Sequence, residues 1–115
     1  MEERSAYPSR IPTDTGAFEL KLITDVTLQA IQAENIHSQV KHGDKAMISS
    51  DLTNLERLPI LMEEVGEVAT ALTYDARQNG KDKLVKELLQ VSAMAACWAQ
   101  AIDGGVDGDR GFPPL

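Results

Sequence analysis

Apolar residues recur every three or four positions along three stretches of this chain, and strict alternation persists nowhere. That period is the signature of α-helices with one face turned inward, at about 100° of azimuth per residue. The chain therefore reads as all-α, with three main helices. Aromatic residues make up only 4% of the sequence, so the core must rest on Leu, Ile, Val, Ala and Met. Such side chains favour helix packing over a β-sandwich.

Punctuation sets the expected boundaries. Pro8, Pro12 and small polar residues make 1–15 an irregular arm. A first helix is expected from Gly16 to Lys41, capped by Asp14 or Thr15 and stopped by His42-Gly43. Thr53 and Glu56 form a capping box for the second helix. Pro59 suggests a distinct first turn there, with the regular helix beginning near Leu58 and running to Gln78. Asn79-Gly80 reads as its stop. The third helix is expected from Asp82 to Ile102, within a helical domain over 16–103, and 104–115 is a Gly- and Pro-rich tail.

Each later helix carries two rows. On the second helix the main apolar stripe is Leu61, Val65, Val68 and Leu72, beside a row of Ile60, Glu64, Glu67, Ala71 and Tyr74. On the third the main stripe is Leu84, Leu88, Val91, Ala95, Trp98 and Ile102. Its second row is Glu87, Gln90, Met94, Cys97 and Ala101. A helix on a monomer surface needs one stripe only. Three helices of this length cannot easily bury both, so helices of two subunits are expected to complete a bundle of four-helix type. The first helix adds a stripe of Phe18, Leu22, Val26, Ala33, Ile36 and Val40, with Gln29 on the same face.

Charge narrows the function. A formal net charge of −7 leaves no basic stripe with which to displace counterions from nucleic acid. No run of about 18 apolar residues exists, so no membrane span is expected. The single Cys97 excludes an intrachain disulfide and fits a reducing, cytoplasmic setting. Against this background the stretch LMEEVGEVATAL places Glu63, Glu64 and Glu67 inside an apolar run. If the second and third helices pack side by side, Glu64, Glu67 and Glu87 converge. Carboxylates partly removed from water must then protonate or hold a cation, and hard oxygen donors suit Mg²⁺ or Mn²⁺. From spacing alone, a solvated acidic face is the other reading.

The motifs Glu63-Glu64-Val65-Gly66-Glu67 and Glu87-Leu88-Leu89-Gln90 resemble the EExxE and ExxD signature of the MazG-like, all-α nucleoside triphosphate pyrophosphohydrolases. The resemblance covers 55–102. It implies a homodimer or homotetramer that uses Mg²⁺ to cleave a nucleoside triphosphate into monophosphate and pyrophosphate, as in the house-cleaning of non-canonical nucleotides. It further implies Glu63, Glu64 and Glu67 as catalytic residues, with Glu64, Glu67, Glu87 and Gln90 at the metal. Two departures stand out. Gln90 replaces the signature Asp, removing a charge and a possible base. The chain also lacks the basic helix that many relatives carry after this point. Phosphate contacts are therefore sought at Lys41, Lys83 and Lys86, and a base contact at Gln29. The departures keep a second reading open, a nucleotide-binding or oligomerisation module with little or no turnover. His37 and His42 read as solvated or capping residues, and Trp98 as core.

Overall fold

A computed structural model describes residues 19–104, and the backbone alone over 74–79. The described residues form three helices: α1 over Asp25–His42, α2 over Asn54–Thr70 and α3 over Ala76–Asp103. A 3₁₀ turn, Gly43–Lys45, follows α1, and a π-helical segment, Ala71–Asp75, joins α2 to α3. No strand occurs among the described residues, and none of their helices is long and apolar enough to cross a membrane.

Local chemistry explains most boundaries. α1 starts later than its periodicity suggests: residues 19–24 are not helical. Thr24 caps it instead, its hydroxyl accepting the Thr27 N–H at 3.2 Å, with Asp25 favourably placed in the first turn. The expected cap at Asp14 or Thr15 lies outside the described residues, as do the arm and most of the tail. α1 ends at His42 because Gly43 takes φ 58°, a conformation that glycine adopts without steric cost. The capping box of α2 is present in both halves. Glu56 N–H donates to Thr53 Oγ1 at 3.2 Å, and Thr53 N–H donates to Glu56 Oε1 at 2.9 Å. α2 is regular from Asn54 onward, so no separate first turn forms at Pro59. The carbonyl that Pro59 leaves without an N–H partner is that of Leu55, on an exposed side of the helix where water can reach it.

The widened segment after α2 also has a local cause. Thr70 Oγ1 donates to the Gly66 carbonyl at 3.2 Å, and Thr73 Oγ1 to the Ala69 carbonyl at 2.7 Å. Hydroxyls bonded back by four residues compete for the carbonyls of the helical ladder and perturb it. Gly80, at φ 60° and ψ −151°, then breaks the helical path where the stop was expected.

Two links show that α2 and α3 run antiparallel. Trp98 Nε1 donates to Asn54 Oδ1 at 2.7 Å near one end, and Gln90 reaches Glu64 farther along. α3 packs on both α1 and α2, whereas α1 and α2 make no backbone approach to each other. A groove floored by α3 is left between them.

The faces turned inward are not those that apolarity ranks first. α2 presents Asn54, Arg57, Ile60, Glu64 and Ala71 to its own chain, while Val65 and Leu72 of the main stripe are exposed. α3 likewise buries Glu87, Ala93 and Ala101 and leaves Leu88 and Ile102 largely in solvent. On α1 the whole described stripe points outward, with Val26 75% and Val40 80% exposed. Its inner face is Ala30, Ile31, Asn35 and Ser38. The main stripes are not wholly excluded: Leu61 and Val68 of α2 and Leu84, Val91 and Trp98 of α3 are half-buried, so the inward faces draw on both rows.

Arg57 organises the connection between α1 and α2. It is fully buried, and its Nε and Nη2 donate to the carbonyls of Met47 at 2.6 Å and Ser49 at 2.7 Å. The loop is thus drawn onto α2, with Ala46, Met47 and Leu52 buried beneath it.

Candidate functional site

One wall of the groove is acidic. Glu64 and Glu67 are three residues apart on α2 and so share a face, and Glu87 meets them from α3. Each offers a carboxylate oxygen, and these oxygens lie within 4.8 Å of one another. Glu87 is only 5% exposed, Glu64 is half-buried and Glu67 is exposed. Burial pushes the Glu64 carboxyl above the ordinary glutamate range, and the charges of Glu67, Glu87 and Glu63 push it further. Glu87 is raised as well, by burial first, then by its hydrogen bond to Glu67 and that group's charge. Lys83 and Lys86 pull it partly back. Two helices thus force together groups that repel, a state relieved by protons or by a cation.

Gln90 lies one turn beyond Glu87. In the amide orientation that its neighbours require, its nitrogen donates to Glu87 Oε2 at 3.0 Å and Glu64 Oε2 at 3.3 Å. The reverse orientation would set the amide carbonyl against two carboxylates. Lys83 Nζ, on an exposed side chain one turn away on the same helix, sits 3.7 Å from the other oxygen of the nearly buried Glu87.

The acidic wall opens into a cavity of about 330 Å³, within the range of small-molecule sites. Glu63, Glu64 and Glu67 line it from α2, and Glu87, Gln90, Met94 and Cys97 from α3. Ala46 and Met47 contribute from the stapled loop. α1 supplies Asn35 and Ser38, together with His37, Lys41 and His42 near its end. Asn35 is held by its neighbours: it donates to Gln32 Oε1, while its Oδ1 accepts from Gln39 Nε2 at 2.9 Å and Cys97 Sγ at 3.1 Å. Burial raises the Cys97 thiol, which disfavours the thiolate and with it a nucleophilic role.

The residues singled out from the sequence separate into two groups. Glu63, Glu64, Glu67, Glu87, Gln90 and Lys41 border the same cavity, whereas Gln29, Lys83 and Lys86 do not. Lys83 and Lys86 act on the site only through their charge on Glu87. Sequence reasoning passed over Asn35 and the loop at Met47, and it read His37 and His42 as solvated or capping residues although both border the cavity. It also passed over Arg57, two turns before Glu64 on the same helix face, because the sequence does not mark which row turns inward. Trp98 is half-buried and hydrogen-bonded to Asn54, apart from the cavity. No protein-family model, curated protein or solved structure matches the chain.

Proposed function

We propose that the chain is a Mg²⁺-dependent nucleoside triphosphate pyrophosphohydrolase of the MazG-like kind that its EExxE and ExxQ motifs resemble. The observation that supports this most is the convergence of Glu64, Glu67 and Glu87 on the wall of a cavity of about 330 Å³. Mg²⁺–oxygen distances are about 2.1 Å, so ligands on opposite sides of the ion lie about 4.2 Å apart. The three carboxylate oxygens, within 4.8 Å of one another, are close enough for side-chain rotation to bring them onto one ion. Hard oxygens on two packed helices suit Mg²⁺ or Mn²⁺ over softer metals.

The charge of the cavity supports the same reading. Glu34, Glu63, Glu64, Glu67 and Glu87 all border it. A triphosphate cannot approach five carboxylates unless cations accompany it. A divalent ion bound there supplies phosphate neutralisation and a water of lowered pKa. Glu64, Glu67 and Glu87 would hold it, and Glu63 would orient the attacking water. Lys41, which borders the cavity from α1, would meet the phosphates. House-cleaning of non-canonical nucleotides in the cytoplasm is the setting that such chemistry serves.

The exposed Val26, Ile36 and Val40 of α1, Val65 of α2 and Leu88 of α3 support a homodimer or homotetramer, in which a second copy would cover them. A module that binds nucleotides without turnover is the second reading, favoured by the amide at Gln90. Pyrophosphate release from a panel of ordinary and modified nucleoside triphosphates, with Mg²⁺ and with Mn²⁺, decides between them. Turnover that Glu67→Gln abolishes is expected. No turnover with either metal at high enzyme concentration rejects the enzyme.

A further inference from the structure

We propose that Arg57 is a positioning residue for the cavity, holding in place the loop that gives it apolar lining; that the lining serves a nucleobase rests on the reading above. The guanidinium does not itself border the cavity. It is fully buried on α2, and its Nε and Nη2 donate to the carbonyls of Met47 and Ser49, across 10 and 8 residues of chain. Ile48 stands between those two carbonyls, and Ala46, Met47 and Ile48 all line the cavity. The loop's own backbone bonds are local: Ala46 N–H donates to the Gly43 carbonyl, Ser49 N–H to that of Ala46, and Leu52 N–H to that of Ser49. Bonds of that reach fix the shape of the loop, whereas the guanidinium fixes its place against α2.

What the loop brings differs in kind from most of the lining. Carboxylates and polar side chains dominate elsewhere, and beyond the loop the aliphatic lining comes from Ala93 and Met94 of α3. Apolar lining suits the ring of a base, and a methionine thioether makes favourable contacts with an aromatic ring. Glu63, Glu64, Glu67 and Glu87 stand on the helices, so a loop that shifts leaves them where they are. Arg57 therefore governs the part of a ligand that is not phosphate. Arg57→Lys isolates that action. The charge is kept, but an ammonium lacks the planar fork that meets two carbonyls at once. The loop should loosen while the helices stay packed.

Two measurements on full-length Arg57→Lys test this. Cys97 lines the same cavity and is the single cysteine of the chain, so its alkylation by iodoacetamide reports access to the cavity. Alkylation should run several-fold faster than in the unaltered protein, at a rate that stays flat in low urea, the mark of local rather than global opening. Equal rates, or a rate that climbs with urea from the start, overturn the proposal. The second measurement is calorimetric titration, in Mg²⁺, with the α,β-imido analogues of the four common ribonucleoside triphosphates and with inorganic tripolyphosphate. Whichever analogue the unaltered protein binds should bind the variant about three- to tenfold more weakly, with tripolyphosphate unchanged. Weakening of both alike, or of neither, overturns the proposal. If the unaltered protein binds no analogue, the nucleotide reading fails and the alkylation rates decide the role of Arg57 alone. If Arg57→Lys does not fold, Arg57→Gln, with one amide in place of the fork, takes both measurements.

Discussion

Glu87→Gln should stabilise the metal-free protein and at the same time remove its response to Mg²⁺. Glu87 is almost wholly buried, with two other carboxylates within 4.8 Å. At that distance two unit charges repel by about 3 kcal/mol at an effective dielectric constant of about 20. Glu67 is exposed, which screens its share, and the mutation also loses the Lys83 contact, worth at most about 1 kcal/mol. Glutamine keeps the shape and still offers a carbonyl to Gln90. The net gain should be about 1–2 kcal/mol. For a chain of 115 residues, unfolding entropy of about 2.1 cal/mol/K per residue converts this to a rise of about 4–8 °C in Tm. Thermal unfolding followed by circular dichroism near pH 8, at one fixed protein concentration, reads the effect with and without millimolar Mg²⁺. The unaltered protein should gain Tm with Mg²⁺ and the variant should not. A variant that melts below the unaltered metal-free protein would refute the reasoning, because Glu87 would then be held by favourable contacts rather than against repulsion.

The same repulsion sets a pH dependence. Glu64 and Glu87 titrate above the ordinary glutamate range when folded and near about 4.3 when unfolded, so between those values the folded state binds more protons. Metal-free stability should therefore be lowest above the raised values, climb as pH falls through them, and stop climbing below about 4.3, with Mg²⁺ flattening the slope. Urea midpoints between about pH 5 and 8 measure it, and a midpoint that falls on acidification over that range contradicts it. Arg57→Leu should cost about 3 kcal/mol, since it strips two buried carbonyls of a charged donor. Hydrogen exchange should show residues 46–52 losing protection, and a variant with unaltered exchange there would deny the loop its anchor. The proposed self-association predicts that Val26→Asp combined with Val40→Asp lowers the mass read by light scattering while helical content persists. An unchanged mass contradicts a contact through the outer stripe of α1.

How much of this was legible in the sequence depends on what each signal encodes. The capping box at Thr53, the stop at Gly43 and the break at Gly80 were readable because each depends on a few neighbouring residues. The convergence of Glu64, Glu67 and Glu87 was readable because rows at helical spacing fix which residues can meet once two helices pair. Which row faces inward was not readable. Periodicity ranks faces by apolarity, whereas the packed helices turn inward parts of both rows, with Ala71, Glu87 and Ala101 buried and Leu61, Val68 and Val91 half-buried. The start of α1 failed for a related reason: Leu22 and Phe18 continue the spacing, but the Thr24 hydroxyl decides where the helical ladder begins. Arg57 and the loop it gathers depend on contacts across 8 and 10 residues of chain, which no periodic pattern contains.

The absence of any backbone approach between α1 and α2 leaves α1 with two unlike faces. Asn35, Ser38 and Lys41 line the cavity from it, while Val26, Ile36 and Val40 look out to solvent. One helix therefore serves at once as a wall of the cavity and as an apolar outer surface, and its place is fixed by α3 beneath it and by the loop that Arg57 gathers.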